Sequence, residues 1–77
     1  MAPKNEVRRY RANLSDELHS AALYETLAKV EEDDTRKQVY SNLAKSEREH
    51  AQVWADNLIA NGVRPKGAGR VLKTRLM

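Results

Sequence analysis

The chain has 77 residues, no cysteine, 32% charged residues and a formal net charge of +3. That length admits one small domain with a limited core, and the lack of cysteine excludes disulfides, zinc–cysteine sites and iron–sulfur clusters. Metal ligation by oxygen and nitrogen, or self-association, remains as a source of added stability. No apolar run is long enough to span a bilayer and no signal-peptide core is present, so the chain reads as soluble and cytoplasmic.

The charge is unevenly spread. From Gly62 onward there are five basic residues (Arg64, Lys66, Arg70, Lys73, Arg75) and no acid. Residues 1–61 hold nine Lys/Arg against all eleven Asp/Glu, a net of −2. The body is slightly acidic and the tail is basic.

Pro3 suits the first turn of a helix. A helical pattern then covers about 6–32, with the seam Val7, Tyr10, Leu14, Glu17, Ala21, Tyr24, Ala28 and Glu31. Asn13 or Ser15 could cap a later start, but the apolar spacing reaches back to Val7 and favours the longer helix. Glu31–Asp34 forms the turn, with acids that suit the positive end of a following helix. Thr35 and Gln38 match a capping box. The second helix covers about 35–61, with Tyr40, Leu43, Glu47, His50 or Ala51, Trp54 and Leu58 along its seam. Gly62 suits a helix C-cap and Pro65 blocks continuation. Residues 62–77 read as a linker and a short basic amphipathic piece containing Val71, Leu72 and Leu76. No strand alternation appears. The expected fold is all-α, an antiparallel two-helix hairpin over residues 1–61.

A charged residue and a histidine stand where this pattern asks for Leu or Ile. Glu47 and His50 are three apart and share a helix face. Glu17 lies sixteen residues before position 33 and Glu47 fourteen after it. In a hairpin that two-residue offset amounts to about 3 Å of rise. Two carboxylates and an imidazole are therefore expected to converge at mid-height on buried faces. Buried carboxylates need a partner or a metal.

A two-helix hairpin has one apolar face with nothing to bury it against. A two-fold dimer, hence a four-helix bundle, is the simplest solution, and a higher even-numbered homo-oligomer is a further one. Symmetry would gather four glutamates and two histidines. That is the ligand set of di-iron carboxylate bundles, which take one Glu from each of two helices and a Glu-x-x-His from each of the others. Such ligands suit Fe(II) and Fe(III), and Mn or Zn could substitute.

The residues Glu17-x6-Tyr24 with Leu27-Ala28, then Leu43-Ala44-x2-Glu47-x2-His50-Ala51, resemble the ferritin-like fold of rubrerythrins. The wider stretch from Tyr10 to Trp54 is similar to one branch. That branch is the ferritin-like domain preceding the membrane part of some vacuolar-iron-transporter family proteins. Two-helix encapsulated ferritins are a second relative. The resemblance covers roughly residues 8–61. It implies iron binding and ferroxidase activity at Glu17, Glu47 and His50. It also implies a location at the membrane surface beside a transporter's membrane domain, if the chain is an excised part. The chain departs from rubrerythrins in carrying one ligand set instead of two and in lacking a rubredoxin-type cysteine site.

Tyr24 and Tyr40 lie seven residues from Glu17 and Glu47, as hydrogen-bonding neighbours of the ligands or as core. Glu25 and Glu31 are secondary metal candidates, as guides or transient sites, with a solvated helix face the preferred reading for each. His19 falls on the outer face. The rival function is a metal-free helical dimerisation module whose basic tail docks on a membrane or on nucleic acid. The tail has no aromatic residue for base stacking, which disfavours nucleic acid.

Overall fold

The computed structural model describes residues 4–65. Pro3 and the basic segment after Pro65 lie outside the described residues. Two helices, α1 (Lys4–Val30) and α2 (Asp34–Ala60), pack as a hairpin. Each has 27 residues, about 40 Å of helical rise. α1 runs unbroken past Asn13 and Ser15, because its Ala, Leu, Glu and Arg content favours helix and no Pro or Gly interrupts it. Among the described residues no strand occurs, and no helix is long and apolar enough to cross a membrane.

The connection is residues 31–33. The cap of α2 is Asp33, not Thr35. Its backbone is extended (φ −76°, ψ 120°), and its carboxylate accepts from the Arg36 amide at 2.8 Å. Asp33 accepts from that amide, so the cap of α2 lies two residues earlier than the capping-box pattern suggests. Thr35 falls inside the first turn. Gln38 donates instead to Asn42 Oδ1 at 2.9 Å. Across the turn, Arg36 Nε donates to Glu31 Oε1 at 2.7 Å.

At the other end, Gly62 takes φ 73°. Its amide donates to Ile59 O at 2.9 Å and that of Val63 to Leu58 O at 2.9 Å. This paired closure satisfies two carbonyls that the helix end would leave open, and it needs a residue without a Cβ at position 62. Val63 then packs against the apolar cluster that contains Leu58.

The seam between the helices is narrow. Leu14, Ala21 and Ala28 are the buried residues of α1, and Ala44, Ala51, Ala55 and Leu58 those of α2. Leu14 and Leu58 are the largest fully buried side chains. They sit toward the open end with Ala51 and Ala55, flanked by Val7, Tyr10, Leu18, Trp54 and Val63. Toward the turn the seam is alanine. Ala44, not Leu43, takes the buried position; Leu43 is exposed.

A two-helix unit buries only the line where the helices touch. The positions on either side form two grooves. One groove carries Tyr10, Glu17 and Tyr24 from α1, and Trp54, Glu47 and Tyr40 from α2. The opposite groove carries Glu25 and Arg48.

Candidate metal centre

Three layers stack along the first groove, each one heptad from the next, about 10.5 Å of rise. In the outer layer the rings of Tyr10 and Trp54 lie 5.7 Å apart, tilted by 30°. In the layer nearer the turn, Tyr24 and Tyr40 stack at 6.5 Å with 19° between planes. The middle layer is Glu17 and Glu47. The seven-residue steps 10, 17, 24 forward and 54, 47, 40 backward are what antiparallel helices require for three matched pairs.

Glu17, Glu47 and His50 each offer one ligand atom, and these atoms all lie within 4.8 Å of one another. His50 Nδ1 stands 3.5 Å from Glu17 Oε2. That carboxylate oxygen is buried and lacks a hydrogen-bond partner. A buried oxygen left without a donor is costly, and a cation held by all three groups would answer it. The Glu47 carboxyl is pushed above its ordinary value, first by its hydrogen bond with Glu17. Burial and the negative charge of Glu17 push the same way, while His50 pulls it back down. In physical terms, a second carboxylate this close disfavours the charged form of Glu47.

The site is less buried than the seam pattern suggests. Glu17 and Glu47 are half-buried, and the His50 side chain is 56% exposed. Ala51 takes the sealed position instead. The reason is the narrow seam: His50 lies on the rim of the groove, covered in one hairpin by nothing further. An open cleft of about 240 Å3 lies there, lined by Glu17, His50, Val53 and Trp54. Val53 and Leu43 are exposed apolar neighbours of this rim.

The other candidate residues are placed elsewhere. Glu25 lies in the opposite groove, held by Arg48, with Arg48 Nε donating to Oε2 at 2.7 Å and Nη2 to Oε1 at 2.7 Å. That groove widens toward the turn to about 630 Å3, lined by Glu25, Ala28, Lys29, Lys37, Ser41 and Ala44. It is the larger hollow, yet its two lysines and its engaged carboxylate make it unsuited to a cation. Glu31 pairs with Arg36 across the turn. Tyr24 and Tyr40 face one another one heptad from the carboxylates. His19 is exposed. Arg48 is the functional candidate that the spacing of metal ligands did not single out. Its signal was its place directly after Glu47, as Glu25 stands directly after Tyr24.

No family model, curated protein or solved structure matches the chain.

Proposed function

We propose that the hairpin is an iron-binding unit of the ferritin-like kind, working as a two-fold dimer with a di-iron carboxylate centre between its protomers. The observation that carries this reading is the Glu17–Glu47–His50 group with its orphaned buried oxygen. Glu17, Glu47 and His50 would hold the metals. The donor set fits: two carboxylates and an imidazole suit Fe(II), with Mn and Zn as chemical substitutes.

The same face supports the dimer. One chain supplies three ligand groups, too few to fill the coordination of two metals. The rim carries His50 beside exposed Leu43 and Val53. A second copy docked there would cover that apolar surface and bring a second set of the same ligands. The aromatic pairs above and below would then wall the centre off from water along the bundle axis.

Fe(II) is the substrate in this reading, and the bound metal supplies redox chemistry with dioxygen or peroxide as oxidant. The chain's own part is to bind the cation and to offset its charge with the two carboxylates. A bundle of this size suits oxidation or hand-off of iron, including to a transporter, more than storage of a mineral.

The test is an anaerobic Fe(II) titration of the metal-free chain with molar mass followed by light scattering, then air. The expected result is about one iron per chain, set by the ligand count of a shared di-metal site. An even-numbered oligomer and a ferric absorbance on aeration complete it. Absence of binding, with unchanged mass throughout, would overturn the reading and favour a metal-free dimerisation module.

A further inference from the structure

We infer that Arg48, through its fork to Glu25, is a positioning residue that fixes the rotation and height of α2 at the Glu17–Glu47 pair. This rests on the metal reading above and adds the element that holds the ligands in place.

The seam at and below the site gives little grip. Ala21, Ala28, Ala44 and Ala51 line it, and alanine surfaces offer few ridges to interlock. The large interlocking side chains, Leu14 and Leu58, belong to the open-end cluster. A rotation of α2 by one residue is about 100° and would carry Glu47 out of its groove. Metal sites tolerate much less, about 0.5 Å and 10–20°. The ring pairs Tyr10–Trp54 and Tyr24–Tyr40 restrain α2 a heptad either side of the site, both in the groove of the acids; a restraint on the opposite side of the seam would complete the hold on its rotation.

Arg48 is placed to do so. It follows Glu47 directly, so the two side chains leave α2 about 100° apart and straddle the seam. Glu47 enters the groove of Glu17, and Arg48 enters the opposite one. There the guanidinium meets Glu25 through two parallel bonds, both 2.7 Å. A two-point fork fixes orientation as well as distance, which a lysine ammonium does not. The bond joins residues 23 apart in sequence, whereas Arg9–Glu6 and Arg36–Glu31 are local. The pair is also half-exposed, at 34% and 42%. Ion pairs that open to solvent add little stability. The fork therefore supplies geometry more than stability, and its loss should weaken metal binding more than folding.

The experiment uses the full chain and Co(II), whose visible spectrum reports ligand geometry, alongside Fe(II) titration. Arg48→Lys keeps the charge and removes the fork, while Glu25→Gln keeps the shape and removes the charge. Each is expected to lower Co(II) affinity by up to about 5-fold, the most that an ion pair open to solvent can contribute, and to change the Co(II) spectrum. Helix content and thermal midpoint should stay near wild type. The swap Glu25→Arg with Arg48→Glu should restore much of the affinity. Wild-type affinity and spectrum in both single variants would overturn this inference alone. So would an affinity loss that only tracks lost helix content. No Co(II) or Fe(II) uptake by the wild-type chain would remove the metal reading, and this inference with it.

Discussion

Two grooves run along the alanine seam, and each holds a half-buried glutamate of α1, Glu25 lying about 12 Å of rise nearer the turn than Glu17. In one, Glu25 is met by the guanidinium of Arg48. In the other, Glu17 is met by Glu47, a second carboxylate. The chain can therefore place a cation opposite a glutamate where it needs a structural pair. At Glu17 it places another acid and a histidine instead, and leaves one buried oxygen without a donor. An arrangement that costs stability in the empty protein is the expected mark of a ligand site. The neighbouring rings point the same way. The acid pair is bracketed by Tyr10–Trp54 and Tyr24–Tyr40, while the opposite groove is lined by lysines and a serine toward the turn.

The largest expected effect separates the grooves directly. Glu17→Ala should reduce Fe(II) or Co(II) affinity by more than the ~100-fold that outer-partner changes reach. The thermal midpoint of the metal-free chain should not fall, since one of two repelling carboxylates is gone. Calorimetric metal titration and circular dichroism melts check the two halves. A variant that keeps its metal but unfolds at lower temperature would make Glu17 a structural acid, and the contrast between the grooves would vanish.

Much of this contrast was legible before the structure. Heptad spacing and near-equal distances from the turn place Glu17 opposite Glu47, because helical rise is fixed and the connection is short. The depth of the site was not legible. Sequence pattern marks a seam as apolar or polar, but it does not say how wide a seam two helices bury. His50 satisfies the spacing and still sits on the rim. Leu43 likewise yields its place to Ala44, because helices that approach closely favour the smaller side chain. The turn held a similar ambiguity: Asp33, Asp34 and Thr35 are all able caps, and only the backbone decides among them.

A second, smaller effect uses acidity. Glu47 is raised from its ordinary 4.5, so the folded metal-free chain holds that proton more tightly than the unfolded chain does. This contribution to stability is complete below pH 4.5 and is lost as pH rises through the raised value. Metal affinity should run the opposite way over that window, since a cation displaces the proton. Glu47→Gln keeps an uncharged donor beside Glu17 at every pH. It should flatten the stability change seen in urea melts as pH rises above 4.5 and reduce the rise in metal affinity. An equal slope in wild type and variant would assign the dependence to other acids.

The smallest effect on the site should come from the turn. Asp33→Ala removes the oxygen that accepts from the Arg36 amide and should cost about 1 kcal/mol of stability, as helix caps do. Asp33 lies fourteen residues from Glu47 along α2, about 21 Å of rise, and touches neither groove at the height of the ligands. Metal affinity should therefore remain at the wild-type value while the thermal midpoint falls. Arg48→Lys is expected to do the reverse. If Asp33→Ala also weakens metal binding, affinity follows global stability, and the fork in the opposite groove has no special hold on the carboxylates. If the two variants separate, the geometry of the acid pair is set across the seam from it, by a residue that never enters its groove.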